Sequence, residues 1–315
     1  MPGLGTSFGR GGATTAQWDL ANSQCIVIMG VNMAENHPVG YRFVMQAKER
    51  GATIIHVDPR FTRTSATSDI HAALRPGSDI AFLGGLINYV LNSQRWNTDP
   101  FFREYVSNYT NAATLVGDAF VDTEDLDGLF SGFDAQSRQY DPSSWQYAQE
   151  SSAPPVPAPS DALTTEAYSE HVGRLTKQTP QDPTLQDPRC VLQILKRHYA
   201  RYTPEMVERV CGVPAERFLE VAQAVLNNSG RERTTAFAYA VAWTQHTVGV
   251  QIIRAAAILQ QLLGNIGRPG GGILALRGHS SIQGSTDIPT LYNLLPGYLA
   301  QPHVLKDHEI GRAHV

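Results

Sequence analysis

A chain of 315 residues with 42% hydrophobic and 17% charged content can bury a sizeable core, which argues against a disordered chain and fits a soluble globular protein, most simply of two domains. Its formal net charge of −4 comes with no basic stripe of the kind that nonspecific nucleic-acid binding needs. No apolar run approaches the roughly 20 residues of a membrane helix, and the start Met1-Pro-Gly-Leu-Gly lacks the charged and apolar regions of a signal peptide.

Cys25-Ile-Val-Ile-Met29, ending at Gly30, is a continuous apolar run that reads as a buried parallel strand. A helix is predicted over Tyr41 to Arg50, with Phe43, Val44 and Ala47 on one face and Gly51 as its stop. Thr53-Ile-Ile-His-Val57 is a second strand, ended by Asp58-Pro59, and the two strands with their helix form a right-handed βαβ unit. A polar stretch from Arg60 to Asp69 then leads to a helix over Ile80 to Leu91, with Asp79 as its cap.

From Thr110 to Asp187 periodicity fades, and Ser151 to Ser160 is too proline-rich for helix or central strand, so this span reads as a long surface excursion. Regular structure resumes with Pro188 to Tyr199. Thr203-Pro204-Glu205 starts a helix with proline at its first position, and Val213-Pro214-Ala-Glu216 opens another that runs to Leu226. Thr235 to Trp243 reads as a further buried strand, followed by a helix from Val248 to Leu263 closed by Gly264. Strand, loop and helix alternate, which predicts an open α/β sheet.

Ligands of such sheets bind outside the carboxyl ends of the strands. Three loops therefore matter: Gly30 to Pro38, Asp58 to Arg63 and Trp243 to Gly249. The first is not a Gly-x-Gly-x-x-Gly phosphate loop; its Asn32, Glu35, Asn36 and His37 suit either the polar edge of a nucleotide or ordinary turn and cap chemistry. Asp58 stands where a Rossmann-type protein places an acid for ribose or base, and Arg60 and Arg63 suit phosphates or plain solvation. Gln245 and His246 occupy the corresponding place in the third loop.

Farther on, Gly270-Gly-Gly272 precedes Arg277-Gly-His279, and the planar fork of Arg277 suits a carboxylate or phosphate. Cys25, Cys190 and Cys211 include no Cys-x-x-Cys pair, the histidines show no metal-ligating spacing, and no Gly-x-Ser-x-Gly elbow occurs. Any metal must come inside a cofactor.

The blocks IMGVNMAENHPVGYRFVMQAK from Ile28, HVDPRFTRT from His56, RPGSDIAFLGGLINYVL from Arg75, YAVAWTQHTVGVQ from Tyr239, and LLGNIGRPGGG with LRGHSSIQGSTD resemble, in order, the molybdopterin oxidoreductase superfamily. The likeness is strongest to the catalytic subunits of respiratory formate dehydrogenases, whose long excursion resembles Leu129 to Tyr147. The resemblance implies a Rossmann-like open parallel sheet domain, here incomplete and carrying a long irregular insertion. It also implies two molybdopterin guanine dinucleotides holding molybdenum or tungsten, with formate oxidised to carbon dioxide.

By motif match Asn32, Glu35, Asn36, His37, Asp58, Arg60, Gly77 and Asp79 contact a guanine dinucleotide, with Val241, Gln245 and Gly278 nearby; Arg277 holds the formate carboxylate and His279 lies beside the metal. The family's cysteine motif for a [4Fe–4S] cluster and its metal-ligating selenocysteine or cysteine are not matched. The chain therefore reads as an internal piece, inactive in isolation. The expected division is a dinucleotide-binding domain over residues 1–278, the start of an adjoining domain over 279–308, and a tail over 309–315 that resembles a translated sequencing adapter. The resemblance further implies an iron–sulfur beta subunit, a membrane haem gamma subunit and a periplasmic location. Alternatives are another molybdopterin oxidoreductase acting on nitrate or an oxide, or a cofactor-free nucleotide-binding module.

Overall fold

A computed structural model of the chain describes residues 2–9, 11–148 and 179–278. The chain divides into two compact units, Met1–Ala112 with Leu195–Leu276, and Ala113–Ile194 with Arg277–Val315. The proline-rich run, the expected adjoining domain after 278 and the C-terminal tail lie outside the described residues.

The first unit is built on a parallel sheet of β1 (Cys25–Met29), β2 (Thr53–Val57), β3 (Ile70–Ala72), β6 (Thr235–Tyr239) and β7 (Gly272–Ala275), in the order β3-β2-β1-β6-β7. β1 and β6 are buried at every position, as their unbroken apolar runs predict for strands covered on both faces, and so is β7, which the sequence reading leaves unassigned. β3 is the strand that the polar reading of Arg60 to Asp69 does not anticipate: three residues, Ile70-His-Ala72, show no period of their own.

On one face lie a 3₁₀ turn (Gln17–Asn22) and α3 (Pro38–Glu49), packing Leu20, Val44 and Ala47 over Ile26, Ile28, Ile54, Ala236, Ala238 and Leu274. The α3 helix starts three residues before Tyr41, because Pro38 is well suited to a first helical position. The other face is covered by α5 (Asp79–Asn92), α10 (Ala215–Asn227) and α12 (Gly249–Leu262). Between them α9 (Pro204–Cys211) begins where the Thr203 hydroxyl accepts the Met206 N–H at 3.2 Å. Shorter helices complete the unit: α1 (Pro2–Phe8), α2 (Met33–Asn36), α4 (Arg63–Thr67), α6 (Gln94–Thr98), α7 (Pro100–Tyr109) and α11 (Val241–Thr244).

Buried amides stitch the far end of the sheet. Gln260 Nε2 donates to the carbonyls of Thr235 at 2.9 Å and Gly272 at 2.6 Å, and Asn265 Nδ2 donates to Gln260 Oε1 at 2.8 Å. Each amide finds partners, so the network stabilises rather than strains the core. Here the glycine triplet has its explanation. A Cβ on Gly270, whose φ is +71°, would come within 2.5 Å of the Asn22 carbonyl, so the chain enters β7 through a space only glycine fits. The triplet stands at the start of β7, away from the strand ends where ligands bind; it is a packing device and not a ligand loop.

The second unit holds the antiparallel pair β4 (Phe133–Asp134) and β5 (Gln139–Tyr140), together with the start of α8 (Val191–Tyr199). Its order comes from aromatic contacts such as Phe130 with Trp145 at 5.4 Å, and from the Trp145 ring N–H, which donates to the Ser131 carbonyl at 2.6 Å. The stretch after Thr110 that lacks a period thus contributes to a compact unit without long elements.

The α5–α10 contact offers a direct check of the core. Phe218 is fully buried and meets Phe82 edge-on at 5.5 Å. Phe218→Ala is expected to cost about 3–5 kcal/mol, read from the urea unfolding midpoint. A loss below about 1 kcal/mol would mean this face is not core.

Candidate functional site

Connections from β1 run to β2 on one side, while β6 pairs with β1 on the other, so the loops that follow β1 and β6 part above the strand ends. Such a reversal opens a crevice suited to a ligand. Gly30, the first residue after β1, has φ +71°, and a Cβ there would lie 2.9 Å from Trp243 Cδ1. Only glycine lets the two loops close the crevice floor.

The strand expected to continue to Trp243 stops at Tyr239. Ala240 leaves strand geometry, and α11 turns Trp243 back over Tyr239 with the rings stacked at 4.7 Å. An apolar run does not by itself distinguish strand from buried helix. Trp243 is completely buried, and among the described residues its Nε1 has no hydrogen-bond partner of ordinary geometry.

After β1, Asn32 is tied to the next loop. The Thr64 hydroxyl donates to Asn32 Oδ1 at 2.9 Å and accepts the Ala34 N–H at 3.0 Å, while Asn32 Nδ2 donates to Glu35. Glu35 in turn pairs with Arg63 at 3.3 Å, an exposed contact worth little to stability. Asn36 is exposed, and burial holds the half-buried His37 imidazole below its ordinary value.

After β2, Asp58 Oδ1 accepts the Arg60 N–H at 2.9 Å, an Asx-type turn that leaves acceptor capacity on the carboxylate. The Arg60 side chain is exposed. Beneath lies His56, with 0% exposure: Nε2 is 3.2 Å from the Val31 carbonyl and Nδ1 is 2.7 Å from the Ser65 hydroxyl. A carbonyl only accepts, so Nε2 carries the proton and the neutral ring accepts from Ser65. One imidazole thus links the loop after β1 to the helix after β2. His71 on β3 stacks on His56 at 5.8 Å, and its Nε2 contacts the Asp58 carbonyl at 3.0 Å. These two histidines escape the sequence reading, which looks for metal-ligating spacing and not for an imidazole inside a strand; the alternation Ile55-His56-Val57 is the available signal.

The helix expected from Ile80 with an Asp79 cap begins at Asp79 itself, with Ser78 at the cap position. The Ser78 hydroxyl is engaged elsewhere, donating to the Arg75 carbonyl at 2.6 Å. Asp79 is buried, and desolvation raises its carboxyl above the ordinary range, opposed by backbone N–H groups, by His246 and by the nearby Trp243 ring N–H. Asp79, Trp243 and Gly30 therefore share the crevice between β1 and β6. Gly77, Val241 and Gln245 are exposed at its edge.

Leu276 N–H donates to the Tyr239 carbonyl at 2.8 Å, extending the sheet pairing past β7. Arg277 follows in the chain, half-buried and part of the second unit; Gly278 is exposed, and His279 lies outside the described residues. Among the described residues no group of three or more His, Cys, Asp or Glu side chains could hold a metal ion, and no helix is long and apolar enough to cross a membrane.

Chemically, the strand ends offer a carboxylate with free lone pairs, a buried N–H donor, flanking arginines and a carboxyl that burial makes harder to ionise. That set suits a polar, planar ligand with donor and acceptor edges. Its pH response follows from His56. Burial lowers this imidazole below 6.5, so its contribution to stability is present above 6.5 and is lost as pH falls through the lower folded value. Asp58 at 3.9 Å and the His71 ring are the titratable groups facing it. Urea unfolding from pH 7.5 to 5 should show the stability gap between the unchanged chain and His56→Asn narrowing below about pH 6.5. A gap constant across that range would contradict the buried neutral ring.

Comparison with known proteins gives this arrangement relatives. Residues 5–306 match the family described as molybdopterin oxidoreductase. The chain is 47% identical over 300 residues to the nitrate-inducible formate dehydrogenase major subunit of Escherichia coli (strain K12), covering 95% of this chain and 26% of that protein. It is 45% identical over 296 residues to the formate dehydrogenase subunit alpha of Megalodesulfovibrio gigas, covering 94% and 26%. It spans about a quarter of the length of these relatives. Acetylene hydratase from Pelobacter acetylenicus superposes with TM-score 0.46 and 17% identity, covering 82% of this chain and 25% of the other. With its parallel sheet, its switch-point crevice and a match over nearly its whole length, the chain belongs to the molybdopterin oxidoreductase family.

Proposed function

We propose that the strand-end crevice holds the nucleotide end of a molybdopterin guanine dinucleotide, and that the protein containing this sequence oxidises formate to carbon dioxide, releasing one proton and two electrons. The observation that carries this reading is the 47% identity, over 95% of the chain, to a formate dehydrogenase major subunit.

The residues present fit such a group. Guanine displays two adjacent donors on its Watson–Crick edge, and the Asp58 carboxylate retains acceptor capacity toward solvent. The buried Trp243 ring N–H lies close to the Asp79 carboxyl at the floor of the same crevice. Asn32, Glu35, Asn36 and His37 line the β1 side, Arg60 and Gly77 the β2 side, and Val241 and Gln245 the β6 side. A second pterin nucleotide, with molybdenum or tungsten, completes the cofactor in this reading. The metal centre supplies the two-electron acceptor.

Arg277 orients the formate carboxylate, with Gly278 and His279 beside the reacting centre. A guanidinium fork pairs with both carboxylate oxygens and leaves the C–H free to face the acceptor, and charge placed beforehand in a dry site contributes most. The words major and alpha in the relatives' names support an assembly with other subunits. We extend the reading to a [4Fe–4S] cluster, a selenocysteine or cysteine ligand, an iron–sulfur beta subunit, a membrane haem gamma subunit and periplasmic anaerobic respiration.

Two experiments test it. GDP, which carries base, ribose and pyrophosphate, should bind the purified chain, and Asp58→Asn should weaken it about ten- to a hundredfold by losing a charged acceptor; calorimetry that detects no GDP binding to the unchanged chain would refute nucleotide recognition. In the cofactor-loaded enzyme containing this sequence, Arg277→Lys should lower formate-dependent dye reduction by at least about 10²-fold. An unchanged rate would remove Arg277 from that role, and activity on nitrate with none on formate would replace the substrate.

A further inference from the structure

We infer that Phe61 is the stacking platform for the purine base at the strand ends beside Asp58, an inference that rests on the nucleotide-binding reading above. Phe61 is 71% exposed, three residues after Asp58 and immediately before the Thr62 cap of α4. A lone exposed apolar residue is ordinary on a protein surface. Two observations set this one apart.

The ring is anchored. Phe61 meets His71 at 5.4 Å with planes 88° apart, and His71 stacks on the fully buried His56 at 5.8 Å. The same His71 contacts the Asp58 carbonyl at 3.0 Å. One imidazole therefore touches both the backbone of Asp58 and the aromatic ring three residues on. A side chain serving only as loop filler has no need of such a column running from solvent into the core.

Phe61 also has company. Val241, two residues after β6, is likewise exposed, by 58%. A purine has a polar edge and two apolar π faces; Asp58 suits the edge and Phe61 suits a face. Stacking tolerates any base because every base has a π face. The division of labour follows: Asp58 distinguishes guanine from adenine, and Phe61 adds affinity for either.

Calorimetric titration of GDP and ADP into the purified chain tests this. Phe61→Ala should weaken GDP binding about 5- to 100-fold and leave the GDP-to-ADP preference unchanged, with an unaltered urea midpoint because the ring is exposed. Phe61→Trp should keep GDP affinity, and its added indole fluorescence should be quenched as GDP saturates the site. If the unchanged chain binds GDP but Phe61→Ala binds it within twofold, the platform is overturned and the nucleotide reading stands. If the unchanged chain binds no GDP, both fall.

Discussion

Parallel pairing of β1 with β2 on one side and β6 on the other, in one register, is the constraint from which the site follows. Cys25 is level with both Thr53 and Thr235, and Met29 is level with Val57, so the strands deliver their ends to one plane. Neighbouring strands lie about 4.8 Å apart. Three loops therefore emerge within roughly two strand spacings of each other, carrying Asn32, Asp58 and Trp243 to the same rim. The parting of the connections on either side of β1 leaves a gap there that side chains, not backbone, must close. Trp243 does so, and Gly30 is glycine because Trp243 does so.

The same geometry explains where polarity is tolerated inside. His56 is completely buried yet has both ring nitrogens engaged, so its desolvation is offset by bonds that also fix the spacing of two loops. Asp79 is buried without a full cationic partner, and its raised carboxyl records that cost. At the opposite end of the sheet Gln260 and Asn265 satisfy each other and the strand starts. One end of the sheet is closed by a saturated network; the other keeps, on Asp58, a carboxylate with unused capacity. Unused hydrogen-bonding potential is what separates a ligand site from a structural one.

Much of this was legible in the sequence where a residue's type and its place along the fold agree. The apolar runs Cys25 to Met29 and Thr53 to Val57 are strands, and the topology rule then points to Asn32 and Asp58 without any coordinates. Legibility fails where tertiary contacts decide. Trp243 reads as strand because it is apolar, yet its place is set by stacking on Tyr239. The glycine triplet stands out in the sequence only as a neighbour of Arg277, yet its backbone freedom serves a close approach to Asn22. β3 is too short for a period, and with it His71 goes unnoticed. The second unit gains its order from aromatic contacts and side-chain bonds, which leave no periodic trace.

The sheet order also bears on how a long cofactor meets a small substrate. Asp58 follows β2, and the chain leaves the sheet after β7, three strand positions away. At the usual spacing that is about 14 Å, a distance suited to an extended dinucleotide and far beyond the reach of formate. On the proposed reading, base recognition is therefore assigned to the loop after β2, and substrate orientation to Arg277, beyond β7 in the sequence. A change at Phe61 or Asp58 then alters how firmly the nucleotide end is held while leaving the carboxylate clamp of Arg277 intact. In that reading, binding energy gathered at the nucleotide end contributes to orienting the reacting end, where orientation governs the rate.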